Sequence, residues 1–314
     1  MLTRHWKPLA ASAAALLGAG AGTAGLIAGL TWMTERAEAA LREAPGVGRV
    51  RFDWPTIADG RTWLADTDRA GLTAFAERAL TGEASVARPL SDVPLERLRR
   101  ALLTSRHRGW FSGEPRVLRS REDGSVRVET GWRVPGAVVR AGGRDHLVSW
   151  SGMPMPRTFE PDTSGLPLIL GAAQSPGRYN EAWRRYAEPW PGRDVEAGLE
   201  LLAELHRRGM IDLVTGVDVG AVSSNGPLLL RTRHGAELVW GGPLGSFRPG
   251  QADDAVRLAR IPQAVAYLDE LAATGRAGEA RAARIDLSGL VAEIDGTPAP
   301  AALEADTQDR AGDR

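Results

Sequence analysis

The sequence predicts an α+β protein: a single N-terminal transmembrane helix, a small β-α-α-β-β unit, then a larger β-rich domain with flanking helices. Three observations carry that expectation. An uncharged run rich in Ala and Leu fills Pro8 to Met33. Between residues 50 and 131, stretches of period-two alternation are interleaved with stretches of helical spacing. From Trp132 onward short strands and Gly-bearing turns dominate, broken by two amphipathic helices.

The apolar run "LAASAAALLGAGAGTAGLIAGLTWM" exceeds the roughly 20 residues a helix needs to cross a bilayer. Arg4, His5 and Lys7 precede it and a mixed flank with Glu35, Arg36 and Glu38 follows, which orients the N-terminus to the cytoplasm. The expected layout is a cytoplasmic tail over 1–8, a transmembrane helix over 9–33 and a linker over 34–49. A cleaved signal peptide, cut at the "AEA" of Ala37–Ala39, is the rival reading. Both readings put the chain after residue 35 outside the cytoplasm.

The small unit spans 50–131. "VRFDW" (50–54) alternates and is stopped by Pro55. "DTDRAGLTAFAERAL" places Leu72, Phe75, Ala76 and Leu80 near helical spacing behind acidic residues. "SDVPLERLRRALL" is a second helix, with Asp92 as its cap and Leu95, Leu98 and Leu102 on one face. "EPRVLRS" and "SVRVETGW" are strands joined at Asp123-Gly124, a hairpin signal.

The larger domain spans 132–295. Two strands flank Gly142-Gly143. "DVEAGLELLAELHRRGM" is a helix with Val195, Leu199 and Leu202 inward and cations in its last turn, ended by Gly209. A meander over 214–240 turns at Asn225-Gly226 and His234-Gly235. A helix over 252–275, interrupted by Pro262, points Ile261, Val265, Leu268 and Leu271 inward. "RIDLSGLVAEI" (284–294) is the last strand, its alternation slipping at Gly289, and 296–314 has the composition of a disordered tail.

Charge and composition exclude several functions. The 39 basic and 39 acidic residues cancel, against a dedicated nucleic-acid binder. With no cysteine there is no disulfide, thiolate metal site or thiol catalysis. The five histidines (5, 107, 146, 206 and 234) lack ligand spacing, and Asp253-Asp254 fits the first turn of a helix without any ion. "SWSGMPM" around Ser151 lacks the first glycine of a nucleophile elbow, and "GGPLGS" (241–246) is no phosphate-binding loop. The Arg-rich stretch 97–121 reads as a solvated surface, with anionic lipid or an acidic partner as the sharper alternative. No cofactor, metal, small-molecule substrate or catalytic residue is expected, and so no enzyme.

Several stretches together resemble the bacterial cell division proteins FtsQ/DivIB. "PLSDVPLERLRRALLTSRHRGWF" is similar to the second helix of that family's POTRA domain and the aromatic residue after it. Val128-Glu129, Pro135, Ala137, Leu147-Val148 and Gly152 fall on the family's entry into its β-domain. "LPLILG" (166–171) resembles its step into a helix, and "ARIDLSG" its closing strand, with Ser288 in place of the usual Arg. Departures lie in "VRFDWPTIADG", which lacks the usual glycine-containing first strand, and in the extra length at 104–126.

The resemblance implies a non-catalytic scaffold of the septum in the cell inner membrane, with the bulk of the chain periplasmic. Its implied partners are divisome membrane proteins of FtsB/FtsL type, and FtsW/FtsI type beside them. Contact would come by β-strand addition at Leu290, Val291, Ala292, Glu293 and Ile294. Equally, that segment pairs within its own sheet. The alternatives from other classes are a hydrolase with a dispersed site and another POTRA-bearing envelope assembly factor.

Overall fold

The computed structural model of the protein describes residues 49–56, 62–81, 93–120, 125–177, 183–246 and 248–298. Two units divide the chain: residues through Leu102 together with Glu114–Thr130, and Leu103–Gly113 together with Gly131 onward.

In the first unit, Val50 and Phe52 alternate with Arg51 in β1 (Val50–Phe52), so one face of a strand is apolar. Helices α1 (Asp66–Thr81) and α2 (Val93–Leu103) follow, then β2 (Arg116–Arg119) and β3 (Val126–Glu129). The sheet order is β1-β3-β2, with β1 parallel and β2 antiparallel to β3. Val50, Phe52, Val126 and Val128 are buried, as are Leu72 and Ala76 of α1 and Leu98 and Leu102 of α2. The alternate residues carry charge, and Arg127 bridges Asp53 at 2.7 Å across the β1–β3 pair. Asp92, Asp123 and Gly124 lie outside the described residues, so the predicted cap and hairpin turn go with them.

The larger unit is built on one mixed sheet in the order β13-β12-β11-β10-β9-β8-β7-β4-β5-β6. Its strands are β4 (Pro135–Ala141), β5 (Arg144–Ser149), β6 (Pro154–Phe159), β7 (Leu168–Leu170), β8 (Val214–Asp218), β9 (Leu228–Thr232), β10 (Glu237–Gly241), β11 (Arg284–Asp286), β12 (Glu293–Ile294) and β13 (Thr297–Pro298). Helix α3 (Arg193–Arg207) connects the parallel pair β7 and β8, and α4 (Asp254–Ala273) with α5 (Ala277–Ala282) connects the parallel pair β10 and β11. Val195, Leu199 and Leu202 of α3 and Leu258, Ile261, Val265 and Leu268 of α4 share one core with Ile169, Val217, Leu230, Leu238, Trp240 and Ile285 of the strands. Gly198 of α3 lets the helix approach the sheet closely, since a Cβ there would stand 2.9 Å from Val219 Cγ1 and 3.1 Å from Val217 Cγ1.

The β4–β5 hairpin turns through Gly142 and Gly143, at φ 57° and 77°, as the sequence predicts. Asp145, fully buried, locks it. Its carboxylate accepts from Arg140 Nε at 2.8 Å and Nη2 at 3.1 Å and from the Asp162 backbone N–H at 2.8 Å. The Arg140 hydrogen bonds hold the Asp145 pKa below the usual carboxylate value, against the opposing effect of burial.

Four expectations are corrected. The predicted fold class included a transmembrane helix; that segment, 9–33, lies outside the described residues, and among those residues no helix is long and apolar enough to cross a membrane. The fold class is α+β on a three-stranded and a ten-stranded mixed sheet. Pro262 does not interrupt its helix, because α4 runs unbroken from Asp254 to Ala273, held by the buried residues on either side of the proline. Residues Leu103–Gly113 belong with the larger unit, where Phe111 bridges to Trp132. Gly296 to Pro298 is hairpin where a disordered tail was expected: Asp295 and Gly296, at φ 49° and 77°, make the turn between β12 and β13.

Among the described residues the outer strands of the large sheet are β6 and β13, and both contain proline, at 154, 156 and 298. Proline offers no N–H to a further strand.

Gly198→Ala gains about 1 kcal/mol of helix propensity but overpacks a β-branched pair at a cost of about 1–3 kcal/mol. Urea unfolding is expected to show net destabilisation. For Asp145, folding depresses the pKa, so its contribution is complete above the unfolded value of about 4 and is lost as pH falls through the folded value. Asp145→Asn is expected to cost about 3 kcal/mol at pH 7. The gap from the unsubstituted protein should narrow progressively below pH about 4 in the same assay.

Candidate functional site

The first half of α4 organises the C-terminal end of the large sheet. Asp253 caps the helix, accepting from the Val256 N–H at 2.8 Å, and Asp254 accepts from the Gly245 N–H at 2.7 Å. The two acids need no ion to explain them. Arg257, 1% exposed, lies on the buried face of α4. It pairs with Asp254, donates to the Trp240 carbonyl at 2.9 Å and rests 4.3 Å from the Trp240 ring centroid. Burial holds its pKa below the usual guanidinium value, with Asp254 opposing.

One turn on, the buried Arg260 binds a loop. Its Nη1 donates to the carbonyls of Leu287 at 3.0 Å and Gly289 at 2.7 Å, and Nη2 to that of Leu290 at 2.8 Å. A planar fork of donors suits three carbonyls that leave the strand in different directions. The Ala252 N–H donates to the Ser288 carbonyl at 2.9 Å, and Gln251 bridges to Gly289. Asp286 Oδ1 accepts from the Ser288 N–H at 2.8 Å and its hydroxyl at 2.6 Å. That local turn is the physical cause of the slip in alternation, because it ends β11 before Gly289 is reached.

The five residues singled out from the sequence separate into three environments. Leu290 and Val291 stand in the loop outside any strand, 72% and 47% exposed. Ala292 is buried. Glu293 and Ile294 form β12, paired on one side with Asp286 and Ile285 of β11 and on the other with Pro298 and Thr297 of β13. So the segment joins its own sheet at one end and presents two adjacent apolar side chains at the other. Beside it Arg284, Asp286, Ser288, Glu293 and Asp295, with Arg248 and Gln251, line a polar recess of 450 Å³.

A second recess of 510 Å³ runs along α3, lined among others by Trp150, Ser151, Glu196, Glu200 and Arg207. Trp150 is already engaged there by two neighbours. His206 stacks on it at 5.3 Å, and a Cβ on Gly136 would stand 2.7 Å from the ring. Glu196 and Glu200 are exposed on the helix, and among the described residues the Ser151 hydroxyl meets only Ser149, at 2.9 Å. His234 pairs with Asp269 at 2.6 Å, and no group of three His, Cys, Asp or Glu among the described residues is placed to hold a metal ion.

Sequence reasoning missed Arg257 and Arg260. Helical spacing alone carries the signal, since Arg257 continues the stripe Ile261, Val265 and Leu268 that it identified as inward. The chain matches no protein-family model and no characterised protein.

Arg260→Leu removes three donors at once and leaves the carbonyls of the loop without them. The expected cost is about 2–4 kcal/mol. Amide hydrogen exchange should quicken across residues 287–292 while β8–β9 stays protected.

Proposed function

We propose that the protein is a non-catalytic assembly factor of bacterial cell division, of FtsQ/DivIB type, that contacts divisome membrane proteins of FtsB/FtsL type through its C-terminal hairpin. Its expected place of action is the periplasmic side of the inner membrane. The observation that carries the reading is the Leu290–Val291 pair, exposed on a loop whose carbonyls accept hydrogen bonds from Arg260. Side chains that are apolar, exposed and already ordered lose little entropy on binding, which is what a recognition point needs. The β-α-α-β-β order, folded as β1-β3-β2 with the apolar sides of both helices buried, supports it further. A partner strand reaches β12 only by taking the place of β13, a two-residue strand.

In-cell photocrosslinking from Val291, with a control probe at Arg207, tests this. An adduct from 291 alone to a small single-pass coiled-coil protein is the expected result, and Leu290→Ala should weaken it severalfold. Only intramolecular adducts at 291, together with normal septation after depletion of the protein, would sink the proposal.

A further inference from the structure

Arg133 is buried at 7% exposure near the start of the larger unit's main segment. Its backbone N–H donates to the Trp110 carbonyl at 3.0 Å. Its side chain uses a single nitrogen: Nη1 donates to the carbonyls of Pro154 at 3.1 Å and Gly109 at 3.4 Å. Neither Nε nor Nη2 has a hydrogen-bond partner among the described residues, and no carboxylate pairs with the group. A buried charge is normally met by an opposite one. Here the charge acting on it has the same sign, because burial and then Arg108 push the Arg133 pKa down to about 10. At neutral pH the guanidinium stays charged and uncompensated.

The surroundings repeat the pattern. Arg108 belongs to the 3-10 turn Arg106–Trp110, which packs closely on a second 3-10 turn, Arg184–Tyr186: a Cβ on Gly109 would stand 2.8 Å from the Tyr186 ring. On that second turn the Arg185 Nε is buried without a hydrogen-bond partner. Arg108, Arg133 and Arg185 form no ion pair among the described residues. Arg108 and Arg133 thus lie close enough to repel each other, and among the described residues neither is paired with an acid.

The Nε–Nη2 edge of an arginine is the side that receives an oxyanion through two parallel hydrogen bonds. In Arg133 that edge is the free one, while Nη1 is spent on holding the 3-10 turn to β6. We propose that the junction of the two 3-10 turns is a binding site for a phosphate group, anchored on the Nε–Nη2 edge of Arg133, with Arg108 supplying the second positive charge. Two cations match a phosphate better than a single carboxylate. The group comes from a soluble phosphate ester or from an anionic lipid headgroup.

The test is calorimetric titration of the full chain with inorganic phosphate at constant ionic strength, alongside flotation with vesicles of phosphatidylglycerol or phosphatidylcholine. Saturable phosphate binding is expected, roughly ten-fold weaker in Arg108→Ala and in Arg133→Lys, which keeps the charge and loses the fork. Arg276→Ala, which breaks the distant Arg276–Glu279 pair, should leave it unchanged. Phosphate binding without a preference for phosphatidylglycerol assigns the site to a soluble ester. A preference that Arg108→Ala abolishes assigns it to a headgroup. If neither ligand binds saturably, or if Arg108→Ala, Arg133→Lys and Arg276→Ala all bind alike, Arg133 is only a strut between carbonyls and the proposal is overturned.

Discussion

The packing of α3 and α4 against Ile169, Val217, Leu230, Leu238 and Ile285 takes one face of the ten-stranded sheet out of water. The rest of the larger unit depends on that division. Side chains that alternate with those core positions are left to the opposite face, where charge is tolerated and paired between strands. Arg231 reaches Asp218 at 3.5 Å and Glu237 at 3.6 Å, and Arg284 reaches Glu237 at 3.3 Å. Such exposed pairs add little stability each. They do fix which face is which, since a slip of one residue would drive the ladder into the core.

The arginines that break the division are the informative ones. Arg257 and Arg260 lie on the dry side of α4, Arg257 accommodated by the Asp254 carboxylate and the Trp240 carbonyl, Arg260 by carbonyls of the loop after β11. Strand ends leave carbonyls pointing in several directions, and a guanidinium can satisfy two or three while keeping its charge spread out. A lysine would concentrate the same charge on one atom. The loop after β11 is therefore held by the Arg260 fork together with the backbone contacts of Gln251 and Ala252, at the point where the strand ladder runs out.

Much of this fold was legible in the sequence where local pattern and tertiary burial agree. The stripes Val195, Leu199, Leu202 and Ile261, Val265, Leu268 point inward as their spacing requires, and the turns at Gly142-Gly143 and His234-Gly235 fall where they were read. Pro262 misled because burial of its neighbours outweighs one lost helical hydrogen bond. The Asp295-Gly296 turn was passed over because the Pro- and Ala-rich residues after it dominate the composition, although the dipeptide itself is a strong hairpin signal. Of the candidate site, the exposed pair Leu290–Val291 was within the segment singled out, but its clamp was not. Strand pairing of Glu293 and Ile294 is a long-range fact, set by where β11 and β13 lie, and period-two alternation carries no information about which strand will be the neighbour.

Proline at both outer strands of the large sheet has a further consequence. A sheet of ten strands with open backbone on either side is a template for copies of itself, and crowding would favour end-to-end growth. Here Pro154 and Pro156 interrupt the donor pattern on one side, and Pro298 does so on the other. Among the described residues, then, neither outer strand presents an unbroken row of N–H donors for a copy of the sheet to pair with.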